Sequence, residues 1–457
     1  MGIGRRNGDA ILVPAPCARP RAARRFPPRR EGERTDCEEE KGTSPLHNEP
    51  GSYLDVDERP LPGTSLPAKL GGGSMSAPMN LDSLPEVSVA GVGSYLPEHR
   101  VSNEEILNYL RPARPDGRLL EPEWVVRHLA IEERRLDYEF GGRRKRSRAD
   151  GGIYDGDLAL RATSSALEDA GVDAGDVDLF VHVSSTPDTV TCQDHFRYLM
   201  NELGLRRDVD LVHHNLGCAG LAPGFRTAAA SLMTSVPSTA VVVASNCPSG
   251  YFGPDVHDYY YKHPSGMGWL APLMFADGAG AVVFRSAPRE PGSDPKGLLS
   301  VRYETNPDVT LVTYPAGGCL NHTSEANLAD NVFLMDGAKV AEVFVPLMMR
   351  NFEMLQEDWP TKVKPVVGTD FAIESVARWY LHQANGVVVR QAAEMLGLPP
   401  ERVPIGVDHY GNTSAASTLI LLDEDRRAGR VHDGNLIACL WIGAGNGAMN
   451  GYSTIVL

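Results

Sequence analysis

The 457-residue sequence lacks several features that would place it in a well-known class of proteins. Its seven cysteines are scattered and include no C-x-x-C pair, which fits neither a disulfide framework nor a zinc site. No apolar run approaches the roughly 20 residues that a membrane-spanning helix needs. The net charge is −15 and no basic stripe with interleaved aromatics occurs, which argues against nucleic acid as a partner. We therefore expect a soluble cytoplasmic protein with reduced cysteines.

Common phosphate-binding and hydrolase motifs are also missing. The glycine-rich stretch 443–451 does not satisfy G-x-G-x-x-G, and the chain contains neither a P-loop nor a G-x-S-x-G elbow. No dinucleotide fingerprint is therefore present in this stretch. We predict instead a turn whose glycines let backbone N–H groups approach a ligand closely, as an oxyanion hole requires.

Residues 1–80 differ from the rest of the chain. Eight of the first 30 residues are Arg, mixed with Pro and Gly, and the segment has no hydrophobic periodicity. A targeting peptide is the alternative, but the segment has no apolar core, and the acidic run Glu38–Glu40 is wrong for a transit peptide. We expect a disordered or non-native extension, with Met75 as the true start.

Strands and helices alternate from Val87 onward in two halves, 81–290 and 291–457. In the first half we predict strands at 87–97, 177–184, 209–212, 239–244 and 275–284, and helices at 104–110, 157–170, 193–203 and 225–233. In the second half we predict helices at 336–355, 388–396 and 415–422, and strands at 379–381, 435–441 and 452–457. This alternation predicts an α/β fold with mixed, buried sheets flanked by helices. The similar segments 277–283 and 443–449 indicate an internal duplication.

Cys218 is the candidate nucleophile. It lies between Gly217 and Gly220, after an apolar strand and before a helix. Such a turn places the thiol at a helix N-terminus, where the macrodipole and free N–H groups favour the thiolate. The alternative is a small buried residue that only fills space. The neighbouring glycines favour a functional role, because a structural cysteine does not need them.

His382 and Asn412 are the candidate partners of Cys218. His382 follows a short strand and precedes a helix, where α/β folds place their ligands, although a core histidine is the ordinary alternative. Asn412 could serve as a helix cap.

Two further segments each have two possible interpretations. The basic run 143–148 is interpreted as a solvated loop, with a phosphate patch as the alternative, and the segment 257–263 as a loop capping a pocket, with a metal site as the alternative.

Together these residues resemble the motifs of β-ketoacyl-ACP synthase III, a family of the thiolase superfamily. The matching motifs follow the family's order along the chain: 93–97 (GSYLP), 218–220 (CAG), 277–281 (DGAGA), 382–385 (HQAN) and 411–417 (GNTSAAS). The resemblance covers residues 87–457. It implies a five-layered α-β-α-β-α sandwich built from two similar halves, and a homodimer.

The resemblance also implies a mechanism. Cys218 would take the acyl group of an acyl-CoA or acyl-ACP, and malonyl-ACP would then lose CO₂ while His382 and Asn412 hydrogen-bond its thioester carbonyl. The oxyanion hole would comprise the Cys218 N–H and a loop formed by Gly445, Asn446 and Gly447. Acyl carrier protein would be the partner, and no metal or redox cofactor is required. The alternatives are transfer of the acyl group to an alcohol, amine or thiol with His382 as general base, and a non-catalytic subunit of a heterodimer.

The predicted substrate entrance departs from the family pattern. Trp124 matches the family's tryptophan near the coenzyme A adenine, but His128 stands where an arginine is usual and Arg127 is displaced by one position. Trp269 occupies the position of a second coenzyme-contacting arginine. After Asn385, the family's basic residue near the carrier-protein entrance is replaced by Val387. We therefore predict a specialised member of the family, with the acyl donor left open.

Overall fold

Helices and strands alternate along the chain, as the hydrophobic pattern predicts. The computed structural model describes residues 85–111, 118–140, 144–189, 191–235, 238–252, 270–289, 296–313, 334–445 and 447–457. The predicted extension at residues 1–80 and the segment 257–263 lie outside the described residues. None of the helices in these ranges is long and apolar enough to span a membrane.

The elements have the following bounds. The strands are β1 Glu86–Tyr95, β2 Arg100–Ser102, β3 Glu133–Arg135, β4 Leu179–Val183, β5 Asp210–His214, β6 Ser238–Asn246, β7 Gly278–Ala287, β8 Gly297–Asn306, β9 Val312–Thr313, β10 Leu334–Met335, β11 Arg378–Leu381, β12 Leu436–Gly445 and β13 Gly447–Val456. The helices are α1 Asn103–Leu110, α2 Pro122–Leu129, α3 Asp155–Ala170, α4 Gln193–Leu203, α5 Leu221–Leu232, α6 Leu270–Met274, α7 Gly337–Asp358, α8 Lys364–Val367, α9 Gly386–Met395, α10 Val407–Tyr410 and α11 Ser417–Arg427.

Two mixed sheets form the framework. The first has the strand order β1-β7-β6-β4-β5 and the second has the order β11-β12-β13-β8. In the first sheet, β4 pairs in parallel with both β5 and β6, whereas β7 is antiparallel to its neighbours. The central strand β6 (STAVVVASN) is buried at every position. Such a continuous apolar run is typical of a strand covered on both faces.

Helices cover both sheets and separate them. Between the sheets lie α5 and α11, where Phe225 packs with residues of both sheets. The outer face of the first sheet is covered by α3 and α4, with Leu158 among the buried contacts. The outer face of the second sheet is covered by α7 and α9, with Met348 in that cluster. The layers therefore follow the order α-β-α-β-α, and the predicted fold class is confirmed.

The structure of the second sheet differs from our prediction of a glycine-rich turn. We expected a glycine-rich turn over 443–451 and a last strand at 452–457. Instead β12 and β13 pair continuously up to the Gly445–Gly447 pair, so most of that stretch is a hairpin. The glycines serve close packing here, because a Cβ on Gly443 would lie 2.3 Å from the Ala219 backbone nitrogen. The hairpin thus lies directly against the turn that carries Cys218.

Several short or irregular elements were missed by the sequence analysis, and α2 and β8 show why. Helix α2 begins with Pro122 in its first turn and has only two buried residues, Val125 and Leu129, so its apolar pattern is short. Strand β8 carries charged residues, and only Gly297 and Ser300 along it are buried, which obscures the alternation expected of a strand.

Candidate active site

Cys218 lies in a tight turn between a strand and a helix, as predicted. β5 ends at His214, a 3₁₀ turn spans Gly217–Ala219, and α5 begins at Leu221. Gly217 has a φ of +57° and a Cβ there would lie 3.1 Å from the Ala444 carbonyl oxygen. A left-handed conformation with so little space favours glycine. The small neighbours of Cys218 are therefore needed to bring this turn against β12.

The protonation state of Cys218 differs from the prediction. Burial raises the pKa of its thiol to about 11, although the Ser414 hydroxyl and the Cys218 backbone N–H lower it in part. Ser414 Oγ donates to Cys218 Sγ at 3.1 Å. At pH 7 only about one thiol in 10⁴ is then ionised. The expectation of a thiolate is wrong for the free site, because desolvation outweighs the stabilising effect of the helix N-terminus.

His382 follows β11 and is held through its backbone, whose N–H donates to Leu440 O at 2.9 Å. Its side chain is 3% exposed, and burial lowers the pKa of the imidazole to about 3. Within the described part of the chain, Nδ1 has no hydrogen-bond partner. The imidazole is therefore neutral at physiological pH and has one N–H group to donate.

Asn412 is fixed by its backbone and by its own side chain. Its N–H donates to Met274 O at 2.8 Å, and its carbonyl accepts from Ala276 N–H at 2.9 Å. Its Oδ1 accepts from the Ser414 backbone N–H at 2.8 Å. Because Oδ1 is engaged in this way, the side-chain NH₂ remains as the donor for a ligand. Asn412 thus does bond to a nearby backbone N–H, as a helix cap would, and this local turn orients its amide.

One cavity of about 40 Å³ brings the three predicted residues together: Cys218, His382 and Asn412 all line it. The rest of its lining is mainly apolar and consists of Met274, Phe275, Leu311, Val312, Met335, Val340, Phe344, Ala384, Ile442, Gly443 and Ala444. Three turns far apart in sequence therefore converge on one cavity. The catalytic role of each residue remains a prediction.

A second cavity of about 30 Å³ lies beside the first and shares Cys218 with it. Its lining is more polar and includes Ser185, Thr186, Asn246 and Ser414. Cys218 is thus accessible from two differently lined spaces.

Ser414 is the site residue that the sequence analysis did not single out. Besides its contact with Cys218, it has a φ of +56°, in the left-handed region that non-glycine residues rarely adopt. Such a conformation is maintained only when the surroundings enforce it and is common at functional sites. The sequence did contain one indication of its role, because Ser414 follows Asn412 by two residues in a Gly-Asn-Thr-Ser turn.

The predicted entrance residues are only partly brought together. In α2 the rings of Trp124 and His128 stack with centroids 4.4 Å apart, and His128 Nδ1 lies 2.8 Å from Trp124 O. Arg127 is exposed on the same helix. Asn385 is buried and caps α9, its Oδ1 accepting from Val388 N–H at 3.0 Å. Trp269 lies outside the described residues, and entrance roles for the others remain predictions.

The predicted oxyanion loop is described only in part. Gly445 and Gly447 form the end of the β12–β13 hairpin, and Asn446 lies outside the described residues. Two residues just before this end, Gly443 and Ala444, line the cavity that contains Cys218.

The basic run is in part the solvated loop that we expected, since Arg144 and Arg148 are exposed, but its cations also contact carboxylates. In its described part, residues 144–148, Arg146 contacts Asp137 at 2.7 Å and Arg148 contacts Asp188 at 2.7 Å. Lys145 is 8% exposed and lies 3.6 Å from Asp137 Oδ2. These cations are engaged by carboxylates of the protein itself, which argues against the alternative of a phosphate patch.

Comparison with known proteins agrees with this site. The family profile for the 3-oxoacyl-[acyl-carrier-protein] synthase III C terminal matches residues 369–452, which include His382 and Asn412. The synthase III structure from Pseudomonas aeruginosa is 25% identical and aligns over 81% of this chain and 98% of its own, with a TM-score of 0.62.

Two other similar structures widen the range of relatives. A Cys-to-Ser variant of Xanthomonas campestris OleA with lauric acid and lauroyl-CoA is 20% identical over 81% of this chain and 99% of its own, with a TM-score of 0.64. The priming β-ketosynthase of the R1128 polyketide pathway is 22% identical over 84% of this chain and 99% of its own, with a TM-score of 0.64.

The layered fold, with a cysteine at the β5–α5 turn, is similar to the thiolase fold of these structures. The chain is similar to 3-oxoacyl-ACP synthase III, and the matches support an enzyme with this fold.

Proposed function

We propose that this protein catalyses the decarboxylative condensation of an acyl thioester with malonyl-ACP through an acyl-cysteine intermediate on Cys218. The observation that carries the proposal is the shared cavity of Cys218, His382 and Asn412. One nucleophile and two hydrogen-bond donors in a mainly apolar cavity match the requirements of this reaction.

In the first half-reaction, Cys218 Sγ attacks the thioester carbonyl carbon of the acyl donor. The bond from that carbon to the carrier sulfur breaks, and the thiol proton of Cys218 leaves on the departing carrier thiol. The Ser414 hydroxyl, 3.1 Å from Sγ, stabilises negative charge on the sulfur as the proton departs.

In the second half-reaction, the malonyl group loses CO₂ and the electron pair of the broken carbon–carbon bond forms an enolate. The His382 N–H and the Asn412 NH₂ donate to the thioester oxygen on which negative charge develops. The α-carbon then attacks the acyl carbon on Cys218, and the β-ketoacyl thioester leaves. The thiolate released on Cys218 takes a proton from solvent, and the initial state is restored.

The electrostatics of His382 favour condensation over acyl transfer to an alcohol, amine or thiol. That alternative needs His382 to accept a proton as a general base. Its pKa of about 3 makes the imidazolium costly, and no carboxylate contributes to the pKa shift. Hydrogen-bond donation requires no charged imidazole. The environment therefore suits a role in enolate stabilisation.

The substrate and partner assignments depend on the relatives. OleA was solved with a fatty acid and its CoA thioester, and the polyketide synthase is a priming enzyme. We propose acyl-CoA or acyl-ACP as the donor, acyl carrier protein as the partner, and an entrance beside the Trp124–His128 stack. A homodimer, a cytoplasmic location and service in fatty-acid or secondary metabolism belong to the same proposal.

The test combines two measurements on the full-length protein. Intact-protein mass spectrometry after exposure to a panel of acyl-CoAs identifies the acyl-enzyme, and release of CO₂ from carboxyl-labelled malonyl-ACP reports condensation. Cys218→Ala should abolish both signals, whereas Cys439→Ala, which changes a buried cysteine on β12, should keep both. An acyl-enzyme without CO₂ release would favour heteroatom transfer. Absence of any acyl-enzyme would contradict both reactions and indicate a non-catalytic subunit.

A further inference from the structure

A buried group of histidines lies outside the active-site cavities. His182 on β4, His213 on β5 and His195 on α4 surround Asp155 at the start of α3. Asp155, His182 and His195 are each at most 1% exposed. The proposed reaction uses none of these side chains, and a hydrophobic core does not require such polar groups.

The ligating atoms of three of these residues converge. His182 Nε2 lies 3.4 Å from Asp155 Oδ2, and His195 Nε2 lies 4.0 Å from the same oxygen. The histidine rings stack with centroids 4.6 Å apart, and one atom from each residue lies within 4.8 Å of the others. Ligands held about 2.0–2.2 Å from a tetrahedral Zn²⁺ lie roughly 3.3–3.5 Å apart. Small side-chain rotations would bring these atoms to that spacing.

Two of the three atoms have no other role. Among the described residues, Asp155 Oδ2 and His195 Nε2 have no hydrogen-bond partner although both are fully enclosed. The other carboxylate oxygen, Asp155 Oδ1, accepts from the hydroxyls of Ser184 and Thr186 at 3.1 and 3.2 Å. Buried polar atoms are almost always satisfied, so such exceptions point to an additional ligand. A cation between these atoms would satisfy both.

We propose that Asp155, His182 and His195 form a binding site for a divalent transition metal, with Zn²⁺ as the expected ion. Two imidazole nitrogens with one carboxylate suit zinc and its neighbours in the first transition series, whereas Mg²⁺ and Ca²⁺ prefer oxygen ligands. The hydroxyl of Ser245 lies 2.7 Å from His182 Nε2, and His182 would give up this contact when a metal binds.

The surroundings of the histidines support this assignment. His182 Nδ1 lies 3.2 Å from His213 Nδ1 and can donate to it while Nε2 faces the metal. This is the arrangement in which a second group fixes the tautomer of a metal-bound histidine.

His195 has a comparable outer partner. The Asp188 backbone N–H donates to His195 Nδ1 at 3.4 Å, and Asp188 Oδ2 lies 3.6 Å from the same nitrogen. The carboxylate is itself held by Arg148 at 2.7 Å and by the Gly156 N–H at 3.1 Å. In the other tautomer, with Nδ1 protonated, the Nδ1–H group faces the Asp188 carboxylate and the lone pair on Nε2 faces Asp155. Metal binding therefore selects one of two tautomers that the surroundings accommodate.

The site would act structurally rather than in the reaction. It would join the first residue of α3 to β4 and α4, in addition to their apolar packing and the Tyr198–Asp157 hydrogen bond between α4 and α3. Asp155 also holds Thr186, which lines the smaller cavity beside Cys218. A metal at this position would therefore stabilise the wall of that cavity and raise the melting temperature of the protein.

The test uses the purified full-length protein and the metal ions alone. After removal of metal with a chelator, we expect Co²⁺ to bind at about one equivalent and to give the intense visible bands of tetrahedral coordination, and Zn²⁺ to displace it and raise the melting temperature. Asp155→Asn and His195→Gln should each weaken binding at least tenfold. His214→Gln is the matched control, because this neighbouring histidine bonds to Thr227 instead.

Three outcomes would overturn the proposal. The first is a wild-type protein that binds neither ion above background. The second is an octahedral Co²⁺ spectrum, and the third is equal loss of binding in the His214 control. Should the Asp155 and His195 variants fail to fold, His182→Gln takes their place: loss of binding in this variant supports the site, and unchanged binding overturns it.

Discussion

Replacing Ser414 by alanine tests how the reactivity of Cys218 is controlled. The Ser414 hydroxyl donates to Cys218 Sγ at 3.1 Å and is the largest contribution that opposes the effect of burial on the thiol pKa. Ser414→Ala removes that donor and leaves the backbone turn with a Cβ. We expect the thiol pKa to rise above its value of about 11 and the thiolate to become rarer.

The expected rise in the thiol pKa follows from the charge on Cys218 Sγ, which accepts the hydrogen bond from Ser414. A hydrogen bond to a charged group contributes about 1.5–3 kcal/mol, against about 0.5–1.5 kcal/mol for a neutral pair. The difference of about 1 kcal/mol corresponds to roughly 0.7 pKa unit. At a fixed pH well below the pKa, alkylation of Cys218 by iodoacetamide should then slow about fivefold.

Matched variants separate this effect from backbone strain. Ser414 has a φ of +56°, so Ser414→Gly relieves strain while Ser414→Ala retains it. Both should lose the same reactivity, although they should differ in thermal stability. Ser417→Ala removes a nearby hydroxyl that bonds to the Ser414 carbonyl and should leave alkylation unchanged. Alkylation of Ser414→Ala at the wild-type rate across the pH range would refute the reasoning.

The remaining predictions concern the donors, the cavity and acid stability. His382→Ala and Asn412→Ala should each lower CO₂ release from malonyl-ACP about 10²–10³-fold while the acyl-enzyme still forms, and equal loss of both by mass spectrometry would contradict the donor roles. Leu311→Trp should fill the apolar cavity and shift acylation toward shorter acyl-CoAs, and an unchanged chain-length profile would argue against acyl binding there. Because the pKa of His382 falls from 6.5 to about 3 on folding, the unfolded chain binds the extra proton between these values, and stability falls as the pH drops below 6.5. By urea unfolding, wild type should lose about 2 kcal/mol more than His382→Gln between pH 7 and pH 5, and equal losses would count against the low pKa.

The sequence was sufficient for the framework and for the positions of the three main site residues. Helix α4 has the predicted bounds, because its apolar residues recur at helical spacing and Gly204 ends it in a left-handed conformation. Cys218 and His382 both follow strands, and the carboxyl ends of strands are where α/β folds place their sites. Local chain patterns encode such features, so they can be read without tertiary contacts.

Features that arise from tertiary contacts were not predictable in the same way. The position of Cys218 before a helix predicts a lowered pKa, but the amount of solvent excluded by β12 decides the outcome. Lys145 belongs to a run that looks solvated, yet Asp137 and Asp277 lie within 4.0 Å of it. The β12–β13 hairpin was mistaken for a loop because its glycines serve close packing with another part of the chain.

The two pKa values of the active site together indicate how the nucleophile is kept inactive without substrate. Moving the proton from Cys218, with a pKa of about 11, to His382, with a pKa of about 3, costs on the order of 10 kcal/mol before the attraction of the resulting ions is counted. A preformed thiolate–imidazolium pair is therefore disfavoured in the empty cavity. Cys218 therefore has to lose its proton as it attacks the thioester. The departing carrier thiol takes up that proton. Alkylation should accordingly be slow in the free protein, and acyl transfer should be fast only with a carrier thioester bound.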